Sequence, residues 1–274
     1  MKLTKLALVS GLLFSVHAHA WTINADFNSG ALGAKAQGSD AFTEGFRDSK
    51  YTNKRSASGK QGLEMWIEEG NDGFGEWGGK FIFPTKLQNG DEIWYRVYLY
   101  FPDSFSFDKG GAPGLKTMRI GTANSNSTKR EGHLDILIGT DGLVIGSEQE
   151  NGFYENNPNW RDVGDPLARG SWQVIEHYIK FSATPGKGIR RMWRNGVLEF
   201  EDTVTATLKT ATSVADYAFL FSYWNNNAPK SQYAYADEII LTSNRPSNTD
   251  SNGNHFVGVG DISFIAPPNP PALK

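Results

Sequence analysis

The sequence of 274 residues contains no cysteine, so core packing, with a bound metal as a further candidate, has to stabilise the fold without disulfides. With only five histidines and no His-Glu-x-x-His motif, a catalytic zinc site is not expected. The sequence also lacks Gly-x-Ser-x-Gly and phosphate-binding loop motifs. Its 27 basic and 30 acidic residues form no block of one sign, which argues against a nucleic-acid or membrane partner.

Long apolar runs are rare, and the one at the start, Leu6–Val16, is too short to span a bilayer. Two lysines precede it, and Ala18-His19-Ala20 follows it as a small-x-small cleavage site. Residues 1–20 are therefore predicted to be a signal peptide of a secreted or periplasmic protein, with a buried N-terminal helix as the alternative. Cleavage leaves a mature chain that begins at Trp21.

The sequence is rich in turn-forming and aromatic residues, with 30 Gly, 17 Phe, 10 Tyr and 8 Trp. Helical patterning is scarce. This combination favours an all-β sandwich, in which exposed Trp and Tyr rings commonly stack on sugars. We expect one domain over residues 21–266, followed by a Pro-rich tail over 267–274, and a monomer.

The clearest structural signal in the chain is a meander of alternating apolar and polar residues. Trp172–Phe181 and Ile189–Phe200 flank a Pro-Gly-Lys-Gly turn, and Asn195-Gly196 predicts a tight hairpin in the second run. Arg191 and Trp193 fall on one face of that run. The segment resembles secreted jelly-roll proteins of the concanavalin A-like class, which implies two antiparallel sheets.

Glu92–Phe101 is the clearest single strand, and its two faces differ. One face carries Trp94, Arg96, Tyr98 and Tyr100, a combination that suits a saccharide-binding sheet. A second buried aromatic layer is the alternative interpretation. The opposite face is apolar, and the residues expected between the two sheets are Ile93, Val97, Leu99, Ile136, Ile175 and Ile179.

Several shorter strands complete the expected sandwich. Lys80–Phe83 is predicted to end at Pro84, and Asp141-Gly142 is predicted to join two strands as a hairpin. Phe256–Ile265 is predicted to be a final strand. Further strands are expected at 62–68, 132–139, 143–147, 217–224 and 232–242.

A jelly-roll glucanase places two carboxylates on one strand face in a Glu-x-Asp-x-x-Glu pattern, because acid and nucleophile must flank the glycosidic bond. The nearest stretch here runs from His133 to Ile138, and both outer glutamates are replaced. Retaining glycoside hydrolysis on this pattern is therefore not expected.

A different resemblance covers about half of the mature chain. Val97–Lys116 reads VYLYFPDSFSFDKGGAPGLK and Phe219–Leu241 reads FLFSYWNNNAPKSQYAYADEIIL. Both segments, in this order around the central meander, resemble polysaccharide lyases of the alginate and glucuronan lyase jelly-roll type. Ala112 departs from that pattern, which often has Lys there, so Lys116 or Arg119 are candidates for its role.

The resemblance implies cleavage of a uronic acid polymer by β-elimination. This reaction needs a cation to neutralise the C6 carboxylate, a base for the C5 proton and an acid for the leaving oxygen. The predicted catalytic residues are Arg96, Arg119, His133, Tyr233 and Tyr235. The predicted substrate-binding residues are Trp94, Tyr98, Tyr100, Lys116, Arg191, Trp193 and Trp224. We expect the face that carries Trp94, Arg96, Tyr98 and Tyr100 to be a solvent-accessible, concave groove. The side chains expected to open onto it are Arg119, His133, Tyr233 and Tyr235.

Jelly-roll domains of this class often hold a structural calcium between the first strand and the last long strand. Asp26 and Asp237 resemble those positions, and calcium prefers oxygen ligands. No organic cofactor is expected. The alternative function is a non-catalytic, lectin-like carbohydrate-binding module on the same fold, because fold alone does not separate the two.

Overall fold

A computed structural model describes residues 20–107, 114–126, 129–139, 142, 144–149, 161–163 and 165–260, with backbone only for 144–149 and 161–163. The signal peptide, apart from Ala20, the Ala112 loop and the Pro-rich tail lie outside these residues. The described strands are β1 Thr22–Ala25, β2 Glu44–Gly45, β3 Ser49–Thr52, β4 Gly62–Ile67, β5 Gly79–Leu87, β6 Glu92–Tyr100, β7 Leu115–Asn124, β8 Arg130–Ile138, β9 Val144–Gln149, β10 Arg161–Val163, β11 Trp172–Lys180, β12 Ile189–Arg194, β13 Val197–Asp202, β14 Ser213–Trp224 and β15 Gln232–Thr242.

These strands form two antiparallel sheets, as the sequence predicts. Sheet A has the order β13-β12-β11-β6-β15-β4-β3, and β1 also pairs with β15. Sheet B has the order β10-β9-β8-β7-β14-β5-β2. The described residues contain no helix, and so none that could cross a membrane.

The core lies between the two sheets, where the alternating patterns place their apolar residues. All six residues predicted for this layer, Ile93, Val97, Leu99, Ile136, Ile175 and Ile179, are fully buried. Aromatic rings fill much of the remaining space. Trp77 stacks on Phe221 with ring centroids 4.7 Å apart, and Phe101 packs on Phe105 at 4.8 Å.

The predicted Asn195-Gly196 hairpin is present. Asn195 and Gly196 have φ values of 51° and 82°, as a type I′ turn requires. They join β12 to β13. Strands β8 and β9, which the predicted Asp141-Gly142 turn would join, pair antiparallel, and Asp141 lies outside the described residues.

Two strand predictions are wrong. Strand β5 continues through Pro84 to Leu87. Proline has no N–H to donate to a neighbouring strand, and it is tolerated here because neither neighbour pairs regularly with β5 at Pro84. Strand β2 pairs only with Gly79 and Lys80, and the pairing of β5 with β14 is irregular beyond Ile82. The described part of the predicted last strand, residues 256–260, is not a strand.

Residues 245–260 instead form a strap that crosses the outer face of sheet A. Glu176 on β11 anchors the strap, because its carboxylate accepts hydrogen bonds from the backbone N–H groups of Val257 at 2.6 Å and Gly258 at 3.0 Å. Trp193 on β12 donates a hydrogen bond to Asp250 at 2.9 Å. The strap thus covers the outer face of β6, β11 and β12.

Candidate active site

The outer face of β6, which the sequence predicts to be an open groove, lies beneath the strap. Trp94 donates a hydrogen bond from Nε1 to the carbonyl of His255 at 2.8 Å. Trp94, Tyr98 and Tyr100 are each at most 5% exposed. The prediction of an open aromatic groove on this face is therefore wrong, and the alternative of a second buried aromatic layer is confirmed.

Arg96 is held in the same layer. Its guanidinium donates hydrogen bonds to the carbonyls of Gly258 and Glu238, both at 3.1 Å. The Glu238 carboxylate lies 3.6 Å away. Because these partners enclose Arg96 beneath the strap, it cannot hold the carboxylate of a polysaccharide at the protein surface.

The four side chains expected to open onto that groove lie on opposite sides of the molecule. Tyr233 and Tyr235 point outward from sheet A, whereas Arg119 and His133 point outward from sheet B. The core of the sandwich separates the two pairs. The structure therefore does not bring the predicted tyrosines together with the predicted arginine and histidine.

Three predicted substrate-binding residues also lie away from sheet B's outer face. Arg191 and Trp193 belong to the outer side of sheet A, where Arg191 pairs with Glu201 at 2.5 Å and Trp193 is buried under the strap. Trp224 is fully buried and stacks on Trp77 with centroids 5.7 Å apart. Trp193 and Trp224 are thus packing residues.

Sheet B does bring Lys116, Arg119 and His133 together on its outer face. In the pairing of β7 with β8, Arg119 lies opposite Asp135 and Gly121 lies opposite His133. Inward positions on these strands carry apolar side chains such as Met118. The alternation therefore directs the polar residues to one outer surface.

Tyr217 on β14 completes this surface. It pairs with Gly121, and a Cβ atom at Gly121 would lie 2.1 Å from Cζ of the Tyr217 ring. The missing side chain of Gly121 therefore provides the space in which this ring lies. From there the Tyr217 hydroxyl reaches Nε2 of His133 at 2.7 Å.

Two cations flank the ring of Tyr217. The Arg130 guanidinium carbon is 4.3 Å from the ring centroid and the Lys80 ammonium is 5.2 Å from it. Burial raises the pKa of Tyr217 to about 12, against the attraction of Arg130 and Arg119 for the phenolate. At neutral pH the phenol therefore keeps its proton, and the surrounding positive charge favours the phenolate when a base takes that proton.

The buried carboxylate of Asp135 orients the side chain of Arg119. Its Nε lies 3.1 Å from both oxygens of Asp135, and its Nη1 lies 3.2 Å from the Ser222 hydroxyl. Burial raises the pKa of Asp135, against the attraction of Arg119, Lys116 and Arg190. Arg190 of sheet A also donates to the Asp135 carbonyl at 2.9 Å, so both sheets hold this strand in place.

A second tyrosine lies beside Lys116. Tyr223 and Lys116 are paired across β14 and β7, and the ammonium is 5.1 Å from the ring centroid. The outer face of sheet B therefore carries two tyrosines, each with a cation beside its ring. Among the described residues, only Tyr217 of these two forms a hydrogen bond with a histidine.

Three phenylalanines extend the surface beyond Arg119. Phe219 lies between Lys80 and Arg119 in the register of the sheet. Its ring centroid is 5.9 Å from that of Phe46 and 6.5 Å from that of Phe74. Phe74 is 60% exposed. An exposed aromatic surface beside cations is the combination on which sugar rings stack.

Sequence reasoning missed Tyr217, Lys80 and Arg130. The alternation of β14 is interrupted by bulges, and Phe221 has a φ of 45°. Leu220 and Phe221 consequently both point into the core, and a strict period of two misassigns the faces of this strand. The Tyr217–Phe219 alternation ahead of the bulge was the available signal.

A family model described as polysaccharide lyase matches residues 27–240, which include all of these side chains. The chain belongs to the polysaccharide lyase family. A comparison with curated protein sequences finds no match to this chain. The family assignment confirms the resemblance found in the sequence and the prediction of an enzyme.

Solved structures are similar to the lyase in fold. Alginate lyase Aly36B, in a complex with an alginate trisaccharide, is 15% identical with a TM-score of 0.58, over 80% of this chain and 97% of that one. A Trichoderma reesei endo-β-1,4-glucuronan lyase is 13% identical with a TM-score of 0.53, over 80% and 93%. An Aplysia kurodai alginate lyase is 14% identical with a TM-score of 0.54, over 81% and 97%. The predicted jelly-roll fold is confirmed.

The two predicted calcium ligands lie where β1 meets β15. Asp237 is buried, and its carboxylate accepts N–H hydrogen bonds from Ala57, Glu238 and Ser58 at 2.7, 2.8 and 3.2 Å. Burial raises the pKa of Asp237 to about 7. Asp26 follows β1 and accepts a hydrogen bond from the backbone of Asn28 at 3.2 Å.

These donors are oxygens, as calcium prefers, but the Asp237 oxygens already accept three protein hydrogen bonds. Within the described ranges no group of three or more His, Cys, Asp or Glu side chains is placed to hold a metal ion. Backbone carbonyls would have to supply the other ligands. Calcium at Asp26 and Asp237 stays a prediction.

Proposed function

We propose that the lyase cleaves a uronic-acid-containing polysaccharide by β-elimination on the outer face of sheet B. The observation that carries this proposal is the 2.7 Å hydrogen bond between Tyr217 and His133. It lies among Arg119, Arg130 and Lys80, so a proton-transfer pair and a set of cations occupy the same surface. These are the groups that the elimination of a uronate requires.

The cations have the first role. Removing the C5 proton of a uronate places negative charge on the C6 carboxylate, and a guanidinium opposite it stabilises that charge. Arg119, whose side chain is 6% exposed on the outer face of sheet B, suits this role because Asp135 fixes its orientation through Nε. Lys116 and Arg130 supply further positive charge on the same surface.

Tyr217 and His133 have the second role. As the Tyr217 oxygen takes the C5 proton, the phenolic proton passes to Nε2 of His133. The electrons of the broken C5–H bond form the C4–C5 double bond, and the C4–O glycosidic bond breaks. The departing oxygen takes a proton from Tyr217, which recovers its own from His133. A phenol with a pKa near 12 needs such a partner to act as a base at neutral pH.

The substrate is an acidic polymer of the type that the structural neighbours act on. Alginate and glucuronan appear in the names of those neighbours, and both are uronic acid polymers. The phenylalanine surface around Phe74 and Phe219 supports this assignment, because it offers a stacking position for a sugar beside the cations.

We infer that the enzyme meets this polymer after export. The predicted signal peptide, with cleavage after Ala20, supports secretion to the periplasm or the medium. Recovery of a chain that begins at Trp21 from either compartment tests this inference.

The test of function is the ultraviolet absorbance of unsaturated uronides after mixing the protein with alginate, glucuronan or another uronic acid polymer. We expect absorbance to rise with at least one of them. The competing function, a non-catalytic carbohydrate-binding module, predicts polymer binding without any unsaturated ends, and that result would overturn the proposal.

A further inference from the structure

A second aromatic surface lies on the outer side of sheet A, at the edge that the strap leaves uncovered. Trp66 on β4 and Tyr233 on β15 are directly paired, and their ring centroids are 4.4 Å apart. Tyr233 is 37% exposed, although most large apolar side chains among the described residues are buried. Met65 and Ile67 point from β4 into the core. Trp66, which lies between them, and its partner Tyr233 therefore point away from the core and can contact a ligand.

A cavity of about 310 Å³ adjoins this pair of rings. This volume is near the lower end for small-molecule sites and suits one or two sugar rings. Trp66, Tyr233, Tyr235, Pro102 and Phe105 form its aromatic and apolar lining, and the rest of the lining is polar. The polar lining residues are Ser104, Lys230, Ser231 and Gln232. Aromatic walls with a few hydroxyl, amide and amine groups match the chemistry of a pyranose, which has apolar faces and polar edges.

Two ammonium groups lie at this surface. Lys54 is 5.2 Å from the centroid of Tyr233 and forms an ion pair with Glu64 at 2.8 Å. Lys230 donates a hydrogen bond to the carbonyl of Ser104 at 2.7 Å. Each ammonium has three N–H donors, so both can bind a further acceptor. A sugar that stacks on Tyr233 therefore has cations close to its ring edge, which favours a uronate over a neutral sugar.

We propose that this surface, formed by Trp66, Tyr233, Lys54 and Lys230, is a second binding site for the acidic polysaccharide. The identity of its ligand rests on the proposed function. The sandwich core separates it from the outer face of sheet B, so it binds a part of the polymer that is not reacting. Binding there keeps the enzyme on a long chain between successive eliminations.

The experiment measures polymer binding and turnover separately. In a Tyr217→Phe background, which is expected to slow turnover by about a hundredfold or more, Tyr233→Ala is expected to weaken polymer binding in affinity electrophoresis roughly two- to tenfold, the effect of one aromatic stacking contact. Lys230→Gln is expected to weaken binding of a uronic acid polymer and to reduce its salt dependence. With wild-type Tyr217, Tyr233→Ala is expected to slow cleavage of dilute polymer and to leave cleavage of a trisaccharide unchanged.

Melting curves establish that the variants fold, and the exposure of Tyr233 makes its replacement tolerable. Equal polymer affinity with and without Tyr233 would overturn the second site. Slower trisaccharide cleavage in Tyr233→Ala would overturn it too, since the surface would then belong to the reaction. If wild type forms no unsaturated ends but Tyr233→Ala still loses polymer binding, the proposed lyase function fails while the second site stands.

Discussion

The hydroxyl of Tyr217 lies 2.7 Å from Nε2 of His133, and the absence of a side chain at Gly121 allows it. Three strands contribute to this contact, one residue each: β14 supplies the tyrosine, β7 the glycine and β8 the histidine. Antiparallel pairing places all three in one row across sheet B. A proton-transfer pair built on strands is held more rigidly than one built on loops.

The first prediction concerns the tyrosine. Tyr217→Phe removes the hydroxyl that we assign to proton transfer, so kcat on the polymer should fall by about a hundredfold or more. Tyr98→Phe is the matched control, because Tyr98 is buried under the strap and its hydroxyl has no hydrogen-bond partner among the described residues. This control should retain full activity and stability. Full activity in Tyr217→Phe would contradict the assignment.

The second prediction concerns the space that holds the tyrosine. Gly121→Ala introduces a Cβ 2.1 Å from Cζ of Tyr217, so the ring must move away from His133. We expect a loss of activity of up to about a hundredfold, as small displacements of catalytic groups produce, and a destabilisation of about 1–3 kcal/mol from overpacking. In the Tyr217→Phe background the alanine should change activity little further. If the losses of activity caused by Gly121→Ala and Tyr217→Phe multiply in the double variant, Gly121 affects activity independently of Tyr217.

The sequence predicted the core but not which outer surface is open. The inward residues of β6, such as Val97 and Leu99, follow from alternation alone. The outward pattern of Trp94 and Arg96 is the same whether the face binds sugar or lies under another segment. What covers it is the strap at 245–260, more than 140 residues away along the chain.

Two of the residues that we propose for the site on sheet B, Arg119 and His133, are also predicted from the sequence, although for a groove on the other sheet. They share the outer face of sheet B because β7 and β8 alternate regularly around them. Tyr217 was missed because its place in the site depends on the pairing of β14 with β7, a contact between distant parts of the chain that alternation within one strand does not reveal. The tyrosines chosen instead, Tyr233 and Tyr235, lie on a strand that alternates well but belongs to the other sheet.

The third prediction concerns the carboxylate beneath Arg119. Asp135→Asn leaves Arg119 buried without its counter-charge, and losing one member of a buried ion pair costs about 3–5 kcal/mol. The free energy of unfolding, measured with urea, should fall by that amount. Asp48→Asn is the control, because its partner Arg47 is 65% exposed and surface pairs contribute about 0–1 kcal/mol. Equal effects of the two substitutions would contradict the proposed burial of the Arg119–Asp135 pair.

The fourth prediction concerns calcium. If Asp26 and Asp237 share a calcium ion with backbone carbonyls, excess chelator should lower the melting temperature and added calcium should restore it, because a ligand of the native state alone stabilises that state. Asp26→Asn should abolish this response. An unchanged melting curve in chelator would remove the metal and leave Asp237 as a carboxylate held by three backbone N–H groups.

The last prediction concerns the anchor of the strap. Burial raises the pKa of Glu176 to about 7, against the N–H donors of Val257 and Gly258 and the charge of Arg96. An unfolded glutamate titrates near its ordinary value, so between these two values the folded state binds more protons than the unfolded state. The contribution of Glu176 is then fully present below about pH 4.3 and is lost as the pH rises through the folded pKa.

Glu176→Gln removes this titration. The free energy of unfolding of the variant should therefore fall less steeply than that of wild type between about pH 5 and 7, measured with urea at several pH values. Subtracting the two curves cancels the opposite contribution of His177, whose burial lowers its pKa. It also cancels that of Asp237, which acts in the same direction as Glu176. A difference that is flat with pH would mean that Glu176 holds the strap as an ordinary ionised carboxylate, with no pH response of its own.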